Sequence, residues 1–131
     1  DRLPGCRPVL RRLGKRYRLG VVTNGIDRVQ RSRLAASGLA PLFETVVTSQ
    51  SCGFAKPDPR ILHVALDAMG VSCRHALYVG DDPATDGAAA RAAGVRFVWV
   101  DHGRPTRGRR PVLRVESLRE LAGLLAADAT A

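Results

Sequence analysis

Short apolar runs alternate along this chain with stretches of helical periodicity, and that alternation narrows the possible folds more than any other feature. Leu19-Gly20-Val21-Val22-Thr23, Thr45-Val46-Val47-Thr48, Ala76-Leu77-Tyr78-Val79 and the run from Val95 to Val100 are near-continuous in apolar, mostly β-branched or aromatic residues. Runs of this kind read as strands buried on both faces, the mark of a parallel sheet with helices above and below. The intervening segments supply the helices. Pro4–Tyr17 sets Val9, Leu10, Leu13 and Tyr17 near helical spacing, with arginines opposite. Ile26 to Ser37 carries Ile26, Val29, Leu34 and Ala35, and Gly38 offers a stop. Asp58-Pro59 opens a third helix, Asp as cap and Pro in the first turn, with Ile61, Leu62, Val64, Ala65, Leu66 and Met69 on its apolar face and Gly70 at its end. An Ala-rich helix runs on to Gly94, and Ser117-Leu118-Arg119-Glu120 forms a capping box before a last helix, Leu118 to Ala127. The expected fold is a doubly wound α/β domain, Rossmann-like, with its chemistry at the carboxyl ends of the strands.

Size and composition agree with one domain. The 131 residues suffice for a single core. Cys6, Cys52 and Cys73 are widely spaced and form no zinc pattern, so they read as reduced thiols of a cytoplasmic protein. No apolar run approaches the roughly 20 residues that cross a bilayer, and no secretory h-region opens the chain. The net charge is +9, nearly all from Arg, since Lys15 and Lys56 are the only lysines. Such a balance suits an anionic substrate or nucleic acid. Aromatic residues make up 5% of the chain and no nucleic-acid motif is present, which disfavours the latter. Arg104, Arg107, Arg109 and Arg110 read as a solvated loop, His63 as structural, and Trp99 as core or rim packing; His75 and His102 lack partners at catalytic spacing.

Three strand ends carry groups suited to phosphate. Thr23, Asn24 and Gly25 give a hydroxyl and a turn whose N–H groups can face an anion. The second strand leads to Gly53-Phe54-Ala55-Lys56-Pro57, which delivers an ammonium just before a helix. The third ends in Gly80-Asp81-Asp82, with Asp86 further on, and carboxylate oxygens there suit Mg²⁺. A hydroxyl, a cation and a metal that screens phosphate oxygens are the parts phosphoryl transfer needs. Each acid also has a plainer reading: Asp82 before Pro83 as an N-cap, and Asp86 as a charge favouring a helix dipole.

In this order, the motifs resemble those of the haloacid-dehalogenase-like (HAD) hydrolase superfamily over about Leu3 to Asp101. The matching segments are Val21-Val22-Thr23-Asn24-Gly25, Gly53-Phe54-Ala55-Lys56-Pro57 and Gly80-Asp81-Asp82-Pro83-Ala84-Thr85-Asp86. The resemblance implies that Thr23 bonds the transferring phosphoryl group, helped by the Asn24 and Gly25 backbone, and that Lys56 neutralises phosphate and nucleophile. It implies Asp81 as an Mg²⁺ ligand, Asp86 as its support through hydrogen bonding or water, and Asp82 as a lesser candidate. It implies a Mg²⁺-dependent phosphatase acting on a small phosphorylated metabolite through an aspartyl-phosphate. A 2-haloacid dehalogenase and a non-catalytic phosphate- or partner-binding remnant are the alternatives.

The family's nucleophile motif, D-x-D-x-[TV], does not occur in the chain. The resemblance therefore implies an excerpt beginning after the helical cap of the capped phosphatase-like subfamily, one partial domain over 1–131 and inactive alone. The absent first strand would lie between Leu19–Thr23 and Ala76–Val79. Those two strands then either pair directly or leave a gap, and the isolated segment is expected to be poorly stable.

Overall fold

Each expected apolar run becomes a parallel strand in the computed structural model, which describes residues 6–103 and 113–130. The elements run α1 (Cys6–Gly14), β1 (Gly20–Thr23), α2 (Asp27–Ser37), β2 (Thr45–Thr48), α3 (Ser49–Cys52), α4 (Arg60–Met69), β3 (Leu77–Gly80), α5 (Ala88–Ala93), β4 (Arg96–Val100), β5 (Arg114–Val115) and α6 (Leu118–Thr130). The helix stops foreseen at Gly38, Gly70 and Gly94 all hold: each glycine takes a left-handed conformation that an L side chain resists. Asp58 Oδ1 accepts the Arg60 N–H at 2.9 Å, and Pro59 follows with φ −65°, as Asp58-Pro59 suggested. Ser117 Oγ accepts the Glu120 N–H at 3.1 Å and caps α6.

Three local readings change. The first helix ends at Gly14, short of Tyr17, which instead closes a turn through its N–H to the Leu13 carbonyl at 2.8 Å. Ile26 is not part of an inward stripe: it is the N-cap of α2 and 53% exposed, and α2 has no fully buried residue. The Ala-rich helix begins late, because Pro83–Gly87 form a wide π turn before α5. The arginines 104, 107, 109 and 110 lie outside the described residues.

Helices cover both faces. On one side Ile61, Leu62 and Ala65 of α4 and Ala89, Ala90 and Ala93 of α5 form a core with Val47 and Val95, against which Val22, Tyr78 and Phe97 pack. On the other, Val98 and Val100 of β4 meet Val115 and Leu121, while Val9 and Leu13 of α1 meet Ala122 of α6. Phe97 and Val98 thus face opposite ways, as successive strand residues must. Burying the valine, leucine and isoleucine side chains among these stabilises the fold by roughly 1.5–3 kcal/mol each.

The sheet is split. Among the described residues β1 pairs only with β2, in register Gly20↔Thr45 to Thr23↔Thr48. β3, β4 and β5 form a separate parallel sheet, with Leu77↔Arg96 and Trp99↔Arg114 in register. The alternative of direct β1–β3 pairing is therefore not taken. Across the two unpaired edges the Tyr78 hydroxyl lies 3.4 Å from the Val22 carbonyl. Val21, Val22, Tyr78 and Val79 remain only half-buried, unlike Val98 inside β4. Among the described residues no helix is long and apolar enough to cross a membrane.

Candidate active site

The residues singled out at the strand ends come together at the carboxyl edges of β1 and β3. Thr23 ends β1, and its hydroxyl donates to the Asn24 carbonyl at 3.3 Å. The Asn24 side chain turns towards the lysine loop: Oδ1 accepts the Lys56 N–H at 2.8 Å and Nδ2 donates to the Lys56 carbonyl at 3.1 Å. The Gly25 N–H donates to Ser49 Oγ at 2.8 Å, so this amide already has a partner inside the protein. Ser49 opens α3, a short helix fixed by a capping box in which Thr48 Oγ1 accepts the Ser51 N–H and Ser51 Oγ accepts that of Thr48. α3 ends at Gly53 in the left-handed region, and the chain then passes Phe54, packed on the core, to reach Lys56.

Lys56 meets the acidic segment directly. Its ammonium lies 2.7 Å from Asp86 Oδ1, and the two side chains are 13% and 8% exposed. Tyr78 completes the cluster: its hydroxyl is 3.4 Å from the same Asp86 oxygen, and its ring centroid is 5.7 Å from the Lys56 ammonium. Burial alone would lower the Lys56 pKa, but the Tyr78 and Asp86 oxygens outweigh it and the net shift is upward. Burial raises the Tyr78 phenol, against the pull of the Lys56 ammonium.

The π turn explains how Asp86 gets there. Asp82 caps it, Oδ1 accepting the Ala84 N–H and Oδ2 the Thr85 hydroxyl, each at 3.0 Å. Its carbonyl takes the Asp86 N–H at 2.7 Å and the Gly87 N–H at 3.4 Å. The turn swings Asp86 back over the end of β3, where Oδ2 accepts the Asp82 N–H at 3.2 Å. This return requires glycine at position 80, because a Cβ there would overlap the Asp86 carboxylate. Wide turns of this kind are frequent at functional sites.

The three acids therefore differ in availability. Asp82 has both oxygens committed to its cap, the plainer of its two readings, and Asp86 is buried against Lys56, Tyr78 and its own turn. Asp81 is exposed, and its carboxylate has no bonding partner among the described residues. Its carbonyl is held by the Trp99 indole N–H at 3.3 Å, and the Arg114 guanidinium stacks over that indole at 5.2 Å. One open carboxylate with hard oxygens fits Mg²⁺, which takes one or two protein carboxylates and fills its remaining sites with water and phosphate. No cluster of three potential His, Cys, Asp or Glu ligands occurs among the described residues.

Sequence reasoning missed Tyr78, Ser49 and the contact of Trp99 with Asp81. Tyr78 carried a signal, a phenol within an otherwise apolar strand three residues before Asp81. Ser49 carried none, because its partner Gly25 is distant in sequence. His63 and His75 are exposed, the His75 ring meeting Ser72 Oγ at 2.9 Å, and His102 is exposed in a turn with φ 56°.

Comparison with known proteins follows this geometry. Residues 1–100 match the haloacid dehalogenase-like hydrolase family. The chain is 48% identical over 105 residues to a phosphoserine phosphatase of Thermus thermophilus, covering 79% of this chain and 42% of that protein. It is 43% identical over 101 residues to a phosphoglycolate phosphatase of Rhodospirillum rubrum, covering 76% of this chain and 42% of that one. The crystal structure of the HAD-hydrolase YfnB of Bacillus subtilis, bound to magnesium, superposes with a TM-score of 0.87 at 27% identity, covering 94% of this chain and 55% of that one. The chain thus spans less than half the length of both phosphatases.

Proposed function

Because the chain belongs to the haloacid dehalogenase-like hydrolases, we propose that it forms part of a Mg²⁺-dependent phosphatase acting on a small phosphorylated metabolite. The observation that carries this reading is the placement of Lys56: one loop residue bound to the β1 end through Asn24 and to the β3 segment through Asp86. A compact ammonium at that junction would neutralise phosphate oxygens as charge builds on them. Thr23 would donate its hydroxyl to the phosphoryl group, releasing the Asn24 carbonyl to which it now turns. Asn24 would contribute its backbone N–H to the same oxygens, and Gly25 would do so where Ser49 yields its amide.

Asp81 would hold Mg²⁺ with its open carboxylate, supported by Asp86 through the Asp82 amide, with Asp82 itself a lesser candidate. When bound, the metal would supply positive charge opposite the phosphoryl oxygens. Asp86 also pairs with the Lys56 ammonium at 2.7 Å, which ties the cation to the metal segment.

The nucleophile in this reading is a carboxylate at the end of a further strand lying between β1 and β3, outside the 131 residues. It would attack phosphorus, expel the substrate alkoxide and form an aspartyl-phosphate that water cleaves to inorganic phosphate. The split sheet supports this, since among the described residues neither edge beside the gap has a strand partner. We propose accordingly that these 131 residues are a partial domain without activity of their own. A cytoplasmic setting is part of this proposal, on the odd number and wide spacing of Cys6, Cys52 and Cys73.

The test is hydrolysis of an aryl phosphate by the full protein with and without Mg²⁺. Lys56→Ala and Asp81→Ala are each expected to lower kcat by about a hundredfold or more. Unchanged activity in both variants, or turnover indifferent to Mg²⁺, would overturn the proposal; release of halide from a 2-haloacid without metal would favour a dehalogenase instead.

A further inference from the structure

We propose that Asn24 is a positioning residue whose side chain tethers the Lys56 main chain, so that the end of β1 and the phosphate-facing ammonium move as one unit. Both polar atoms of its carboxamide meet a single peptide residue 32 positions away: Oδ1 takes the Lys56 N–H at 2.8 Å and Nδ2 gives to the Lys56 carbonyl at 3.1 Å. Only one orientation of the amide satisfies this pair, because exchanging O and N would set donor against donor and acceptor against acceptor. No other bond to the Lys56 backbone N–H or carbonyl is made among the described residues. Lys56 lies between Gly53 and α4 in a segment without helix or strand, so the carboxamide replaces the ladder that the loop lacks.

The identity of residue 24 follows from this geometry. Asp would keep the acceptor and lose the donor, and Ala would lose both. The tether also joins two parts of the site that the chain separates. Thr23 bonds the Asn24 carbonyl, and Asn24 bonds the Lys56 backbone, while the Lys56 ammonium bonds Asp86. Lys56 is thus held at both ends, its backbone by β1 and its charge by the segment after β3. The functional weight of the tether rests on the reading of Lys56 as the phosphate-binding cation, but the tether itself is measurable without turnover.

In the full protein labelled with ¹⁵N-lysine, the Lys15 and Lys56 amides are the signals lost in Lys15→Arg and Lys56→Arg variants, respectively. In the wild-type chain the Lys56 amide should exchange with solvent at least about tenfold more slowly than an open loop amide. Asn24→Ala should abolish that protection and shift the Lys56 signal, leaving Lys15 unmoved. Asn24→Asp, which keeps the acceptor, should preserve the protection. A Lys56 amide unprotected in the wild-type chain overturns the tether even if Asn24→Ala does not fold, and so does protection that survives Asn24→Ala. Titration with inorganic phosphate separates the two readings. Affinity unchanged by Lys56→Ala would sink the phosphate role of Lys56, while a protected, Asn24-dependent amide would still establish the tether. Phosphate affinity lowered about five- to tenfold in Asn24→Ala would join them.

Discussion

Lys56 and Asp86 are buried together at 2.7 Å, and at residue scale the consequence is asymmetric. Removing one charge leaves the other desolvated and alone, which typically costs about 3–5 kcal/mol. Lys56→Met should therefore destabilise the protein by an amount of that order in urea denaturation. The double variant Lys56→Met, Asp86→Leu should recover much of the loss, and strict additivity would show that the pair is not coupled. Gly80 offers an independent probe of the same pair. Its alanine variant cannot keep both the new methyl and the returning Asp86 carboxylate in place. A loss of about 1–3 kcal/mol is expected, together with a displaced Asp86 visible in the Lys56 contacts.

At the scale of elements, the π turn depends on its cap. Asp82→Ala removes the acceptor for the Ala84 N–H and for the Thr85 hydroxyl and should cost about 0.5–2 kcal/mol, with Asp82→Asn restoring part of it. Which elements could be read from the residues depended on how local their causes are. β2 was legible to the residue because Thr45–Thr48 is uninterrupted, and three helix ends were legible because glycine in the left-handed region is a local choice. α3 was not, since its capping box uses Ser51 where Glu or Gln is the familiar partner and its four residues show no period. β5 spans two residues, too short for any pattern, and exists because Arg114 and Val115 find β4. The site divides in the same way. Thr23, Lys56 and the acids were visible as residue types at strand ends, whereas the second grip on Lys56 was hidden in a pairing across 32 positions. Tyr78 looked like one more strand aromatic until its hydroxyl found Asp86 and Val22.

For the molecule as a whole, an Arg-rich chain with few acids places several of those acids where they are held ionised. Thr48 and Arg31 lower the Asp27 pKa, Arg60 lowers that of Asp58, Arg18 that of Glu44 and Arg114 that of Asp101. A carboxylate lowered in the folded state contributes stability that is complete above its unfolded pKa, near 4, and that drains away as pH falls. Lys56, shifted the other way, contributes fully below about pH 10.4 and loses its share only above it. The thermal midpoint should accordingly be level from about pH 5 to 9 and drop steeply below about pH 4. A midpoint that rises on acidification would contradict this balance.

The split between β1 and β3 has a mechanical consequence. Paired strands sit at a spacing of about 4.8 Å fixed by their hydrogen bonds. Among the described residues no ladder sets the distance between β1 and β3; apart from the Tyr78 hydroxyl on the Val22 carbonyl, it follows from the volumes of Ala65, Ala89, Ala90 and the other side chains that α4 and α5 pack beneath both half-sheets. Spacing governed by volume is compressible where spacing governed by a ladder is not. Under hydrostatic pressure the amides of Val22, Tyr78 and Val79 in the 131 residues alone should therefore respond more strongly than those of Val98 and Val100, and a strand filling the gap in the full protein should remove the difference.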